Sequence, residues 1–208
     1  QSFGKGTAPC VSEFEKIILM KRALQSSVDN LSVFSKYVRY LDFCKNINDT
    51  IRDIKFAGVS EKEVLAASEE IGGTLGAKLK DIAFVMSVYD ALLEDKYIDP
   101  SDRLTKLYFE LESLEFFKDK VVLFDSFTGF TGQQYKIIER IFEQTKDVAF
   151  SFTTDNTESD AINSFYNLNF TVNKIKKIAS VCKQILKKNR KFSRFKVACY
   201  NFQCYIAR

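Results

Sequence analysis

Residues 121–135 read VVLFDSFTGFTGQQY. Four apolar residues run into Asp125, which puts a carboxylate at the carboxyl end of a strand, where open α/β sheets bind their ligands. In phosphate-hydrolysing motors an aspartate at this place holds magnesium and a neighbouring carboxylate prepares the attacking water. The neighbour here is Ser126, which has no charge and no useful basicity. On one reading Asp125, Ser126 and Gln134 form a degenerate nucleotide–magnesium motif. On the other, Asp125 caps the loop after its strand, and Gln133 and Gln134 begin a helix. Phe127 and Phe130 offer rings on which bases stack, or they belong to the core, where most of the chain's 20 phenylalanines must go.

Other chemistries are narrowed by composition. There is no histidine, which removes the commonest general base and metal ligand. The five cysteines, Cys10, Cys44, Cys182, Cys199 and Cys204, include no C-x-x-C pair, so a zinc site or disulfide framework is not expected and reduced thiols are. The phosphate-binding pattern G-x-x-x-x-G-K-[ST] is absent, and GKGT at 4–7 lacks the upstream glycine and strand. No apolar run reaches the roughly 20 residues of a membrane helix, and no secretory leader opens the sequence. These points lead us to expect a cytoplasmic protein; a first residue other than Met leads us to expect a fragment. Charge is uneven. Residues 161–208 carry eleven Lys/Arg and no Asp/Glu, against 20 and 27 in residues 1–160. Such a tail suits a polyanion or a missing acidic neighbour, and equally a solvated helix face. Lys187, Lys188, Arg190 and Lys191 are its candidate phosphate contacts.

The elements that would position these residues fall into two sets. From 12 to about 116 the apolar spacing is helical. A capping box, Ser12 with Glu15, opens a helix over 12–28 with Phe14, Ile17, Ile18 and Leu24 on one stripe. A helix or helix pair follows over 31–56. Ser60 and Glu63 open a short helix that Gly72-Gly73 stops, 75–95 is a strong amphipathic helix, and Pro100 starts another through about 116. After Asp119 the period changes. A short strand of the buried type at 121–125, a helix at 132–145 and a strand at 148–153 make a βαβ unit, hence a parallel pair. A basic helix at 161–188 and a third strand within RFKVACYNFQCYIA complete the chain. The expected fold is mainly α with an α/β portion: an all-helical module, 1–117, and a partial parallel sheet (βαβ) of an α/β domain, 118–208.

Asp125-Ser126-Phe127 with Gln134 and Tyr135 resembles the Asp-Glu-x-Gln-Asp…Gln segment of the UvrD-like superfamily 1 helicases, and IDPSDRL at 98–104 resembles the DFDDLL element that precedes it. The resemblance is closer to the AddB (RexB) family, the B-type subunits of ATP-dependent AddAB helicase–nucleases. That family carries DGF-x-x-FTPQE where this chain has DSFTGFTGQQ, and KL-x-DIALIY…Y where this chain has KLKDIAFVMSVYDALLEDKY at 78–97. GVSEKEVLAA at 58–67, FSFTTD at 150–155 and SFYNLNFTVNKIKKIA at 164–179 resemble further family segments, all in one collinear order over about 10–180. Ser126 replaces the family's glycine, and Gly132-Gln133 its Pro-Gln or Pro-Glu; neither change restores a catalytic glutamate.

The resemblance implies a piece of a much longer subunit that acts in double-strand break repair by homologous recombination. It implies an AddA-type partner subunit, the remainder of its own subunit, and single-stranded DNA, with no membrane. It implies ATP, magnesium and an iron–sulfur cluster in the parent family and no cofactor in this piece. The expected function is a non-catalytic, structural and strand-guiding part of that subunit. The alternative is a helical protein–protein interaction module that never touches DNA. The missing phosphate loop and Ser126 argue against an independent nucleotide hydrolase.

Overall fold

In the computed structural model, Ser12 and Glu15 start the first helix by the reciprocal bonds that the sequence predicts: Ser12 N donates to Glu15 Oε2 at 2.8 Å and Glu15 N to Ser12 Oγ at 3.3 Å. The structure describes residues 8–94, 96–145, 147–153, 166–188, 196–200 and 203–207; at 153, 166, 183–188 and in the last two strands the description is of the backbone alone. The fold is mainly α with an α/β portion, in two compact units, Gln1–Arg103 and Leu104–Arg208.

The first unit holds α1 (Glu13–Ser27), α2 (Leu41–Phe56), α3 (Glu61–Ile71) and α4 (Gly73–Leu93). Residues 28–40, expected to be helical in part, form two single 3-10 turns instead, and a third 3-10 turn, Pro100–Asp102, ends the unit. α1 and α3 both pack on α4, whose Ile82, Ala83, Val85, Met86 and Tyr89 are buried. The stripe expected on α1 is rotated. Phe14 is 73% exposed and Ile18 51%, while Lys16, Met20, Ala23 and Leu24 face inward. The bias of the apolar count toward large residues caused the error: small Ala23 and the long stem of Lys16 fill the core side. Pro9–Val11 lies beside Ile98, with Val11 N to Ile98 O at 3.0 Å and Ile98 N to Pro9 O at 2.9 Å.

Two polar devices hold this unit. Asp81, 2% exposed on α4, accepts from Ser32 N (2.9 Å), Ser32 Oγ (3.0 Å), Val33 N (2.8 Å) and Phe34 N (3.0 Å). It thereby satisfies backbone donors that have turned inward. Lys55 on α2 is buried with its ammonium 2.7 Å from Asp90, 2.8 Å from Asp102 and 3.7 Å from buried Asp99; Lys16 reaches the same Asp99 at 3.5 Å. Burial alone would lower the Lys55 ammonium, but Asp90 and Asp102 outweigh it and hold its pKa above the usual value. The stabilisation from this lysine is therefore present below its ordinary titration and is lost as alkaline pH rises through the raised value. The Asp102 carboxyl is raised as well, because burial raises it more than Lys55 lowers it, so its contribution also falls as pH rises, in the acid range where it ionises.

The second unit contains α5 (Arg103–Ser113, one residue across the boundary), β1 (Val121–Phe124), α6 (Gly132–Gln144), β2 (Asp147–Thr153), α7 (Tyr166–Lys188), β3 (Lys196–Tyr200) and β4 (Gln203–Ala207). α5 joins it through α6: Arg140 meets Glu112 at 3.0 Å and the Tyr108 hydroxyl at 3.2 Å, and Gln133 Nε2 donates to Thr105 Oγ1 at 2.9 Å. The expected boundary at 117 follows the change of periodicity, whereas this grouping follows the packing of α5. β1 and β2 are parallel, with Val121 opposite Asp147 and Phe124 opposite Phe150. The single strand expected at the end is two antiparallel ones, giving a mixed sheet in the order β1-β2-β4-β3. Val148, Phe150 and Phe152 bury one face of β2 against α6 and α7. β1 is not of the buried type. Val122 and Phe124 face that core, but Val121 is 59% and Leu123 72% exposed on the other face, the alternation of a half-covered strand.

Two measurements check this packing. Gly76 lies where α3 and α4 cross, and a Cβ there would fall inside the van der Waals contact of the Ser68 carbonyl oxygen. Helix propensity alone favours Gly76→Ala by about 1 kcal/mol. The backbone clash wins, so denaturant unfolding should show a loss of about 1–3 kcal/mol. Lys55→Met leaves Asp102 without its cation and Asp99 with Lys16 alone, and should cost about 3–5 kcal/mol; a change within about 1 kcal/mol would show that the ionic set is dispensable.

Candidate functional site

The carboxyl end of β1 carries the residues singled out in the sequence. Asp125 follows the last strand residue and is exposed. Ser126 turns the chain with φ +62°. Left-handed backbone costs an L-residue roughly 1–2 kcal/mol that glycine does not incur. This explains why the related pattern reads Asp-Gly-Phe at this point. Ser126 thus occupies a backbone position that favours glycine.

Gln134 serves the start of α6. Thr131 N donates to Gln134 Oε1 at 2.7 Å, and Gln134 N donates to Thr131 Oγ1 at 3.3 Å, a reciprocal cap that satisfies two otherwise orphaned donors. Asp125, Ser126 and Gln134 therefore stand on one strand–loop–helix junction, with the glutamine side chain engaged locally. Magnesium prefers six oxygen ligands in near-octahedral geometry. Among the described residues no cluster of three His, Cys, Asp or Glu side chains is arranged to hold a metal ion. Beside a nucleotide, magnesium is held by one or two carboxylates together with phosphates and waters, so Asp125 is the side chain of this junction that would hold it, and Ser126 beside it supplies no second carboxylate.

The two phenylalanines separate. Phe130 packs against the second unit's core, 5.7 Å from Tyr135 and 6.2 Å edge-on from Phe150. Phe127 is 41% exposed, stacked on Phe130 at 4.9 Å and edge-on to Phe124 at 5.9 Å. Beneath them Phe124 stacks on Phe150 at 4.5 Å. The loop thus presents one half-open ring backed by a continuous aromatic column. Thr171 on α7 lies against it, its hydroxyl 3.4 Å from Thr128 O and 3.0 Å from Asn167 O, and the Lys174 ammonium lies 4.0 Å from the Tyr135 ring centroid. Of the tail cations, Lys187 and Lys188 fall on the last turn of α7, where only the backbone is described; Arg190 and Lys191 lie outside the described residues.

A cleft of about 640 Å³ opens between α6 and α7, lined by Phe170, Ile178 and Val181 with Glu139, Glu143, Lys174 and Lys177 at its edges. Burial, then the neighbouring Glu143, push the Glu139 carboxyl above its ordinary range. Sequence reasoning missed Lys55 and Asp81. The signal for Asp81 was present as a carboxylate inside the apolar helical run of 79–86. For Asp99 and Asp102 it was the IDPSD stretch, whose acids turn out to hold Lys55.

A mainly helical chain carries an α/β portion, with an aspartate at the ligand end of its first strand and no acid beside it. The chain belongs to the AddB family: the family model described as ADDB, N-terminal, matches residues 1–198. It is similar to the B-type subunit of the ATP-dependent helicase/deoxyribonuclease of Thermoanaerobacter sp. (strain X514), 32% identical over 172 residues, 81% of this chain and 15% of that protein. The corresponding helicase/deoxyribonuclease subunit from Clostridioides difficile (strain 630) is 33% identical over 141 residues, 67% of this chain and 12% of that one. That from Caldanaerobacter subterraneus subsp. tengcongensis is 32% identical over 166 residues, 78% and 14% respectively. The chain therefore spans about 15% or less of the length of these curated relatives.

Relief of the left-handed strain checks the geometry of this junction. Ser126→Gly should stabilise the chain by about 1 kcal/mol, read from chemical denaturation at constant m-value; an unchanged or lowered midpoint would contradict the turn.

Proposed function

We propose that this chain is a non-catalytic part of an AddB-type subunit, serving structure and the guiding of single-stranded DNA in double-strand break repair by homologous recombination. The observation that carries the reading is the end of β1. It keeps the placement of a motor's magnesium aspartate, at Asp125, and follows it with Ser126 in a backbone position suited to glycine. Such a junction supports a helicase-like scaffold that positions a strand and leaves hydrolysis to another subunit. The subunit description of the relatives supports an AddA-type partner, and the remainder of its own subunit would complete the sheet beyond β1. ATP, magnesium and an iron–sulfur cluster belong, on this reading, to those other parts. No helix among the described residues is long and apolar enough to cross a membrane, and we place the work in the cytoplasm.

Strand guiding makes a quantitative demand on the basic tail. Each neutralised phosphate adds about 0.7 to the slope of log affinity against log salt for a single strand. Two or three engaged cations give a slope near about −1.5 to −2. Fluorescence anisotropy with a labelled oligonucleotide should show weak, sequence-independent binding with a slope of at least that size. Replacing Lys187, Lys188, Arg190 and Lys191 with Ala should flatten it. Phosphate release from ATP, with single-stranded DNA present, should stay at background. Turnover abolished by Asp125→Ala would overturn the non-catalytic reading, and absence of DNA binding at low salt would favour an interaction module.

A further inference from the structure

We propose that the turn around Tyr37 and Tyr40 in the helical unit is a second contact site for single-stranded nucleic acid, in which the two tyrosine rings take bases and Lys36 and Arg39 take phosphates. The proposal rests on the strand-guiding reading and adds a site remote in sequence from both the β1 loop and the basic tail.

The stretch is Ser35-Lys36-Tyr37-Val38-Arg39-Tyr40. Tyr37 is 40% and Tyr40 55% exposed, whereas Val38 between them is buried in the core. Tyr40 N donates to Tyr37 O at 3.0 Å, a closed turn that brings the two Cα atoms within about 7 Å. Two exposed tyrosines thus stand three residues apart on one closed turn. Each has its own cation: Lys36 Nζ lies 5.2 Å from the Tyr37 centroid and Arg39 Cζ 5.8 Å from that of Tyr40. Aromatic faces interleaved with cations are the chemistry that tracks a single strand, since every base has a π-face and every linkage a phosphate.

Two further observations separate this turn from a scatter of surface residues. First, it is anchored from behind. Asp81 gathers the amides of Ser32, Val33 and Phe34, Phe34 packs on Phe43 at 5.1 Å, and Phe43 backs Tyr37 at 5.7 Å. A platform held before the ligand arrives loses less freedom on binding. Second, its charge departs from that of its surroundings. Residues 1–103 hold 14 Lys/Arg against 16 Asp/Glu, yet Ser32–Leu41 has two cations and no carboxylate. The next acid, Asp42, is exposed and lies 3.8 Å from Lys45. A positive aromatic patch on a slightly acidic unit favours a polyanion with stacking groups over an acidic protein surface, which offers no such rings.

The test uses the full 208-residue chain and a labelled oligothymidylate in anisotropy titrations across a salt series, with thermal melts to confirm that each variant is folded. Tyr37→Ala with Tyr40→Ala should weaken binding at least about tenfold at every salt concentration and leave the salt slope unchanged, because stacking is not a counterion effect. Tyr37→Phe with Tyr40→Phe should restore the affinity. Lys36→Ala with Arg39→Ala should instead reduce the slope by up to about 1.4. If the chain binds and the double alanine variant binds equally well, this site is refuted while strand guiding through the tail stands. If the unaltered chain does not bind at low salt, both readings fall.

Discussion

A lysine ammonium inside a helical core must find carboxylates or unfold its surroundings, and Lys55 finds three. They come from the end of α4 and from the segment 99–102, so one charge ties α2 to two other places in the chain. Apolar contacts are non-directional and would tolerate a helix sliding along its neighbours. A slid α2 would strand Lys55 and leave Asp102 bare. Asp99, the third of these acids, also takes Lys16 from α1 and caps the 3-10 turn by accepting from Ser101 N at 2.9 Å. One buried carboxylate is thus common to three segments. Close by, the Tyr89 hydroxyl, raised in pKa by burial first and then by Asp99, has no hydrogen-bond partner among the described residues.

Much of the architecture was legible because it is written in local signals. The three capping boxes at Ser12, Ser60 and Thr131 all formed, two of them read directly from residues three apart. The βαβ unit followed from the change of apolar period and from the rule that a parallel pair needs a crossover. What escaped was non-local. No property of residues 28–40 announces that Asp81, some fifty positions on, will draw their amides into a turn. The exposed side of β1 was hidden for a different reason: a run of four apolar residues reads the same whether one face or both are covered. The inward face of α1 was misjudged because burial there belongs to Ala23 and Lys16 rather than to Phe14.

The β1 junction was legible in chemistry but not in conformation. Asp125 and Ser126 could be read as a carboxylate and the lack of a second one. The left-handed turn at Ser126 is a backbone property, and a serine gives no sign of it. Phe127 and Phe130 look equivalent in sequence. The sheet distinguishes them by placing Phe130 over Phe150 and leaving Phe127 above it, half open. The tail cations supply charge whose meaning depends on the parts of the subunit around them.

The clasp of Pro9–Val11 on Ile98 has an evolutionary corollary. The way into the helical unit and the way out of it run side by side, although nearly ninety residues separate them. A module whose ends meet can be spliced into a loop of another protein while leaving the two cut points almost where they were. Lineages can then lengthen, shorten or replace its helices without redrawing the host. The four helices and the sheet that follows them in the chain can then have separate ancestries.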